Sequence, residues 1–279
     1  MPTVNKIKNI KEYDPKLEMI AQGNDLIRHA RFHLSSMELN IIYYAMSKIK
    51  PQDKDFMHIK FTVSEFCEMC GIDMLDGHVG GREYRRVKTA VKSISDKSAW
   101  TIYPDGSEEL VRWFDTAKAR PKEGEISIIF SQSIKPYLIG LIERAKSGGE
   151  GYTQTMLLTH LALQSKHSKR LYEILKSYLY SSGKLERIYK ETILDYQLDE
   201  FKTLLNVENY KRFPDLRRYV LEVARDEINN YSDIDMSYEP TFTGRRVTGI
   251  RFTCVHKKTI DRMSSFNAAK KVLVRGDDI

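Results

Sequence analysis

The sequence predicts an α+β protein in which one arrangement of helices and strands occurs twice. Three observations lead to this prediction. The predicted elements follow the same order in both halves, their apolar positions align at a nearly constant offset, and basic residues cluster at matching places. An internal duplication explains the three observations together.

The first half begins with a helix whose start is marked by a capping box formed by Ser35 and Glu38. Pro51 ends this helix, and the alternating segment 56–61 predicts a short strand. The apolar residues of the helix recur at helical spacing, at Ile42, Ala45, Met46 and Ile49.

Two more helices and two strands complete the first half. Thr62 and Glu65 form a second capping box, and Gly71 is suited to end the short helix that they begin. The segments 99–103 and 126–130 predict the strands of a hairpin with a long connection. The short helix is followed by a loop with Gly77, Gly80 and Gly81. This loop leads to a longer helix, which precedes the two strands and has an apolar face of Val87, Ala90, Val91 and Ile94.

The second half has the same order of elements. The loop 181–183 follows its first helix, Asn206 ends the short helix, and the segments 234–238 and 247–254 predict a hairpin around Gly244. The apolar faces of its three helices are Leu171, Ile174, Leu175, Tyr178 and Leu179; Leu198, Phe201, Leu204 and Leu205; and Val220, Leu221, Ala224 and Ile228.

Two offsets relate the halves. A shift of 135 residues places Gly71 on Asn206, and both residue types tolerate a left-handed backbone. The same shift aligns the apolar residues Val63, Phe66, Met69, Cys70 and Ile72 with Leu198, Phe201, Leu204, Leu205 and Val207. A shift of 134 aligns Val87, Ala90, Ile94, Trp100 and Ile102 with Leu221, Ala224, Ile228, Ile234 and Met236.

This order of elements is typical of a winged helix. In that fold the second and third helices form a helix-turn-helix, and the following hairpin is the wing. The predicted fold is therefore a tandem pair of duplicated winged-helix domains.

Composition excludes several classes of protein. Of 279 residues, 41% are hydrophobic and 30% charged, which supports a buried core and excludes a disordered chain. No apolar stretch is long enough to cross a membrane, and the charged N-terminus does not resemble a signal peptide. Three cysteines favour a reducing compartment, so we expect a cytoplasmic protein.

The positive charge is concentrated. The net charge is +7, and the segment from Gly244 to Arg275 holds nine basic residues against one acid. Two more basic clusters, 82–88 and 211–218, lie at the starts of the two third helices, and Arg245 and Arg246 lie at the tip of the second wing. Solvated helix faces would explain any one cluster, but three clusters at these places indicate a polyanionic partner, most often nucleic acid.

The helical phase divides the candidate DNA-binding residues of the second domain into two groups. With Ala224 at the centre of the buried face, the side chains that point away and could contact base edges are Asp215, Arg218, Tyr219, Glu222 and Arg225. Residues better placed for phosphates are Lys211, Arg212, Arg217, Arg245 and Arg246. In the first domain we expect contacts from Arg82, Tyr84, Arg85, Arg86 and Lys88, of which Tyr84, Arg85 and Lys88 should point outward. That face has no acid beyond Glu83, which predicts weaker sequence reading.

The motifs of catalysis and metal binding are absent or isolated. Cys67 and Cys70 have the spacing of half a zinc site without a second pair, and a core role is favoured for them. His29 and His33 lie four residues apart in a segment that looks extended. There is no His-x-His motif for a rolling-circle nickase, and the glycines of 77–81 lack the Lys-Ser/Thr of a phosphate-binding loop. We therefore expect no catalytic residue, no metal and no cofactor.

Several segments resemble the iteron-type plasmid replication initiators. They are NDLIR at 24–28, SKHSKRLYEIL at 165–175, YKRFPDLRR at 210–218 with DEIN at 226–229, and GRRVTGIRF at 244–252. The resemblance extends over residues 24–253 and is more specific in the second half. It implies binding to tandem origin repeats in double-stranded DNA, opening of the origin, recruitment of host helicase and primase, repression of the protein's own gene, and self-association between monomer and dimer.

The resemblance also implies roles for the two domains. We expect an N-terminal arm at 1–23, a first winged-helix domain at 24–150 for dimerisation and auxiliary DNA contact, a second at 151–258 as the main DNA reader, and a basic tail at 259–279. A winged-helix transcriptional repressor without a replication role is the alternative, and a nickase is a less favoured one.

Overall fold

The computed structural model describes residues 14–50, 53–74, 81–179 and 189–274. The predicted helix stop at Pro51, the loop glycines Gly77 and Gly80, and the loop 181–183 lie outside the described residues. No helix in the described part of the chain is both long and apolar enough to span a membrane.

The first half contains six α-helices, two short 3-10 helices (Pro15–Leu17 and Gln132–Tyr137) and eight strands among the described residues. The helices are α1 (Asn24–His29), α2 (Ser36–Met46), α3 (Val63–Met69), α4 (Arg82–Ser95), α5 (Leu141–Lys146) and α6 (Leu157–Ala162). The strands are β1 (Met19–Gly23), β2 (Ala30–Arg31), β3 (Ile59–Thr62), β4 (Ser98–Ile102), β5 (Glu108–Arg112), β6 (Phe114–Arg120), β7 (Glu125–Phe130) and β8 (Tyr152–Met156).

The second half contains a further set of elements. They are α7 (Lys166–Leu179), β9 (Thr192–Gln197), α8 (Leu198–Leu205), α9 (Phe213–Leu216), α10 (Glu222–Tyr231), β10 (Ile234–Thr243), β11 (Arg246–His256) and α11 (Thr259–Val272). A π-helical turn at Arg217–Leu221 connects α9 to α10 without a break.

Both predicted capping boxes are present. The Ser35 side chain accepts a hydrogen bond from the Glu38 amide, and the Glu38 carboxylate accepts one from the Ser35 amide at 2.6 Å. Thr62 and Glu65 make the same reciprocal pair at the start of α3. Since these bonds satisfy amides that have no partner within the helix, they fix where α2 and α3 begin.

Each half contains its own three-stranded antiparallel sheet, and the strands of the two sheets are arranged in the same order. In each sheet the second strand of a hairpin also pairs with the strand that precedes the short helix; the orders are β6-β7-β3 and β10-β11-β9. In the first half, β4 and β5 lie between the long helix and this hairpin. Gly71 and Asn206, which end α3 and α8, both have a left-handed backbone, with φ of 65° and 53°. The duplication and the α+β winged-helix architecture predicted from the sequence are therefore confirmed.

The predicted first wing was wrong. Strand β4 pairs with β5, and β7 pairs with β6 and β3, so the segments 99–103 and 126–130 are not partners. The polar stretch between them forms two extra strands, because turns at Gly106 and Gly124, both with positive φ, close two separate hairpins. The counterpart of β10 is thus β6, and the alignment of Trp100 and Ile102 with the second half does not relate equivalent strands.

Both ends of the described chain join the folded body. Strand β1, which falls in the predicted arm, pairs with β8 over its whole length. Helix α11, which falls in the predicted basic tail, buries Ala269 in the same apolar core as α2, α3 and α4, and Leu273 directly after the helix is buried there too. A second core contains Leu171, Phe201, Leu221 and Phe252. The chain thus crosses from one core to the other near residues 163–166 and returns through α11.

Helix α7 connects the halves through buried polar contacts. The Gln22 amide donates to the Glu173 carboxylate at 2.6 Å, and the Arg170 guanidinium donates to the carbonyl oxygen of Ala30 at 2.9 Å. Arg28 donates to the carbonyl oxygen of Ser177 at 2.6 Å. Because these groups are buried or nearly so, the contacts define one relative position of the two halves.

Candidate nucleic-acid interface

The long helix of the second domain is continuous from α9 through the π turn into α10, and we refer to it as the composite helix 213–231. Its buried side chains are Leu216, Val220, Leu221, Ala224 and Ile228. The buried positions predicted at 220, 221 and 228 are thus confirmed. The π turn adds a residue to one turn and so changes the direction of the side chains on either side of it.

Arg218 and Tyr219 lie on the exposed surface of this helix. The Arg218 guanidinium carbon is 5.4 Å from the centroid of the Tyr219 ring, and that ring stacks on Tyr210 with centroids 6.3 Å apart. Within the described residues, no carboxylate lies within ion-pair distance of Arg218. A cation supported by two stacked rings is thus available to an external ligand.

The other outward residues are paired within the chain. Arg217 Nε donates to Glu222 Oε1 at 2.9 Å, and Arg225 donates through Nε and Nη2 to Asp226 Oδ1 at 2.9 and 2.8 Å. These bonds raise the pKa of both arginines. Asp215 lies 4.0 Å from Arg212. Glu222, expected to be a free acceptor toward bases, is thus already engaged.

The second wing places two arginines at its tip. Gly244, with φ of 60°, allows the tight turn between β10 and β11, and Arg245 and Arg246 are exposed there. Arg251, further along β11, is held by Asp195 through two hydrogen bonds of 2.8 and 3.0 Å. The wing therefore presents its unpaired positive charge at the tip rather than along the strand.

The first domain presents a more uniformly basic helix. Arg82, Arg85, Arg86 and Lys88 are exposed on α4, and Glu83 accepts a hydrogen bond of 2.6 Å from Arg86. These arginines face the start of α2 across a groove that Ser35, Arg82, Arg85, Arg86 and Thr89 help to line.

The outward position predicted for Tyr84 was wrong. Its side chain is only 4% exposed and belongs to the first core. Tyr84, Val87, Val91 and Ile94 follow each other at three- and four-residue steps, so one face of α4 contains all four. Tyr84 therefore supports the helix from within.

Sequence reasoning missed two exposed features. Val223, one turn after Tyr219, is 36% exposed. Thr89 and Lys92 extend the exposed face of α4 beyond Lys88. The spacing of Lys88 and Lys92 signals this extension, whereas nothing in the residues 217–221 signals a π turn.

The cysteines and histidines do not assemble a metal site in the described part of the chain. Cys67 is fully buried, and burial raises the pKa of the Cys70 thiol to about 12. His29, at the end of α1, lies 3.0 Å from Glu150, while His33 contacts Asn206 of the second domain. The two histidines thus have different partners.

Two family models match the chain. The model described as Initiator Replication protein, WH1, matches residues 19–176, and the one described as Initiator Rep protein, WH2, matches residues 197–254. The chain belongs to the initiator replication protein family. The first match runs from β1 through most of α7, and the second runs from the end of β9 into β11.

Two curated proteins of Escherichia coli are similar to this chain in sequence. A replication initiation protein of Escherichia coli is 25% identical over 225 residues, which cover 77% of this chain and 64% of the relative. The PI protein of Escherichia coli is 29% identical over 148 residues, covering 48% of this chain and 45% of the relative. The chain thus spans less than two thirds of the length of these curated relatives.

A solved structure has the same fold. The crystal structure of a Pi initiator protein in complex with iteron DNA superposes with a TM-score of 0.68 at 20% sequence identity, covering 87% of this chain and 99% of that one. At this identity the likeness concerns the fold.

Proposed function

We propose that this initiator replication family member is a sequence-specific DNA-binding protein that starts plasmid replication at tandem origin repeats. The observation that carries the proposal is a cluster of basic residues at the start of each third helix, 82–88 at α4 and 211–218 at the composite helix 213–231, in one chain with a fixed contact between its halves. The Pi initiator of similar fold, bound to iteron DNA, supports the choice of ligand.

The two domains have different parts in this proposal. The composite helix 213–231 combines Arg218, Tyr219 and Val223 on one exposed surface, a mixture of a cation, an aromatic ring and a methyl-bearing side chain that suits contacts to base edges. Helix α4 exposes arginines and lysines, which suit phosphates. The second domain is therefore the main base reader, and the first adds backbone contacts.

Self-association is part of the proposal, with a second copy of this chain as the partner. Strand β5 is at the edge of its sheet, and its Leu110 lies opposite Trp100 of β4. These side chains are 44% and 47% exposed. A sheet edge that no further strand of the described chain covers, beside an exposed apolar pair, favours strand pairing between two copies. Sedimentation of Trp100→Glu, expected to shift the chain toward monomer, tests this surface.

Other steps of initiation rest on the family resemblance. Opening of the origin, recruitment of host helicase and primase, repression of the protein's own gene, and a non-enzymatic mechanism belong to this proposal. The cytoplasmic location expected from the cysteine content stays a prediction.

The decisive experiment has two parts. Footprinting on the DNA that flanks the gene should show protection of tandem repeats of about two helical turns. The gene supplied in trans should then maintain a plasmid that carries only the origin. Protection without maintenance would favour the repressor, and no protection of any repeat would contradict sequence-specific binding.

A further inference from the structure

A small crevice separates the composite helix 213–231 from the wing strand β10. It has a volume of about 220 Å³, and its lining includes Arg217, Arg225, Ser237, Tyr238 and Pro240. Two guanidinium groups and two hydroxyl-bearing side chains thus surround a space large enough for a few heavy atoms.

The crevice is built before any ligand arrives. Asn229 of α10 donates from its side chain to the Met236 carbonyl at 2.9 Å and accepts from the Met236 amide at 2.8 Å. Because Met236 precedes the crevice residues of β10, this paired contact sets the distance between helix and wing. The width of the crevice between the composite helix 213–231 and β10 is therefore fixed by the fold before a ligand binds.

Arg217 is oriented by two neighbours. Its Nε donates to Glu222, and the guanidinium also hydrogen-bonds to Tyr238 across the crevice. Burial raises the pKa of Tyr238, so the hydroxyl remains neutral. The Arg217 side chain nevertheless keeps 60% of its exposure, so its charge remains accessible to a ligand.

Arg225 is held by a carboxylate that is open to solvent. Its partner Asp226 is 61% exposed, and exposed ion pairs contribute only about 0–1 kcal/mol. A phosphodiester can replace such a carboxylate, because arginine binds phosphate oxygens through parallel N–H groups in the same way. Asp226 is more exposed than Glu222, 61% against 35%, so it can turn to water when a phosphate takes its place.

The position of the crevice identifies the ligand. When the composite helix enters the major groove and the wing lies beside it, the space between them must contain the sugar–phosphate strand that borders the groove. We propose that the crevice between Arg217 and Arg225 holds one backbone phosphodiester of the DNA, with Glu222 and Tyr238 as positioning residues. This inference rests on the proposed function and assigns Arg225 to a phosphate rather than to a base.

The test combines protein variants with DNA that lacks single charges. Each phosphate along one repeat is replaced in turn by a neutral methylphosphonate, and binding is measured for the wild-type chain, Arg225→Ala and Arg217→Ala. We expect one position, or two adjacent ones, where the replacement weakens wild-type binding on the order of tenfold but weakens the variants much less. Each variant should lower the slope of log K against log salt by about one.

Matched variants separate the proposal from general electrostatics. Arg251→Ala removes one positive charge that Asp195 already pairs, and it should preserve the methylphosphonate effect. Asp226→Asn should tighten binding to specific and scrambled DNA alike, because the phosphate no longer competes with a carboxylate. In a chain that already carries Tyr238→Phe, Arg217→Ala should weaken DNA binding less, because Arg217 has lost a positioning partner. Thermal melting should show that Tyr238→Phe leaves the fold unchanged.

Three results would overturn the inference. Arg225→Ala could lose discrimination at a single base pair with an unchanged salt slope, which would make it a base reader. The variants could respond to every methylphosphonate as the wild type does. Inorganic phosphate, added at constant ionic strength, could bind without competing with DNA and bind equally well to Arg225→Ala, which would place its site outside the crevice. Absence of specific binding by the wild-type chain would instead contradict the proposed function.

Discussion

The backbone of Gly71 lies directly against the backbone of Leu273. A β carbon on Gly71 would be 3.1 Å from both the α carbon and the carbonyl oxygen of Leu273, closer than a relaxed contact permits. The turn after α3 in the first domain thus receives the end of α11, which follows the second domain in sequence.

We expect Gly71→Ala to destabilise the chain by about 1–2 kcal/mol from its left-handed backbone, with a further cost from displacing Leu273. Urea unfolding measures the total. Gly140→Ala is the matched control, because Gly140 has a similar φ of 68° and open space around its β position. Equal losses for the two variants would show that α11 does not rest on Gly71.

Stability should fall in mild acid. Burial lowers the pKa of His167 and His256 to about 4 and that of His160 well below its usual value, whereas the unfolded chain titrates near 6.5. Between these values the unfolded chain binds more protons, so stability is full above pH 6.5 and is lost as pH falls toward 4. Each histidine contributes up to about 1.4 kcal/mol per pH unit.

Urea midpoints at pH 7.5 and pH 5.5 measure this loss. His167→Gln should make the dependence on pH shallower, because it removes one of the buried imidazoles whose pKa is lowered. A His167 variant that follows the wild-type profile would show that the imidazole is protonated as readily in the folded chain.

Arg218 is expected to contact a base. Arg218→Ala should relax preference at one base position of the repeat by about 1–3 kcal/mol with little change in stability. Arg212→Ala, at a side chain 76% exposed, should weaken specific and scrambled DNA equally. Competition binding distinguishes the two, and equal losses for Arg218→Ala would make it a phosphate contact.

The wing tip should act through charge. Replacing Arg245 and Arg246 together by Ala should weaken binding to every sequence and lower the slope of log K against log salt by about two. Arg251→Ala should lower it much less, because Asp195 already pairs with Arg251. An unchanged slope for the double variant would remove the wing tip from the interface.

We expect the protein neither to nick origin DNA nor to become attached to it. A nickase needs a metal-binding motif and a tyrosine nucleophile, and the sequence has no His-x-His. Supercoiled origin plasmid is incubated with protein and Mg²⁺ or Mn²⁺, then treated with detergent and separated by electrophoresis. Open circles carrying protein, abolished by one Tyr→Phe change, would contradict this expectation.

Local signals in the sequence predicted local structure well. The capping boxes at Ser35 and Thr62 and the left-handed positions of Gly71 and Asn206 depend on residues within one turn, so the sequence contains all the information they need. The buried face of the composite helix 213–231 was predicted for the same reason, because four-residue spacing survives the π turn on the core side.

Contacts between distant segments were not predictable in the same way. Strands β4 and β7 are both short and apolar, and nothing within them indicates that each pairs with a different partner. Tyr84 was placed outward because it corresponds to an outward position of the second third-helix, although its spacing to Val87 indicated the core. The segment of α11 was predicted to be a tail because it is rich in basic residues. The burial of Ala269 and Leu273 depends on contacts with the first core, which is distant in sequence.

The path of α11 also affects how the molecule unfolds. A duplicated chain of two similar domains could lose its halves in two separate transitions. Here the last helix follows the second domain but buries Ala269 in the first core, where Leu273 directly after it is also buried, and α7 buries Arg170 and Glu173 at the junction. Melting either half therefore uncovers surface of the other, so the free energies of the two halves are coupled and calorimetry should record one cooperative transition.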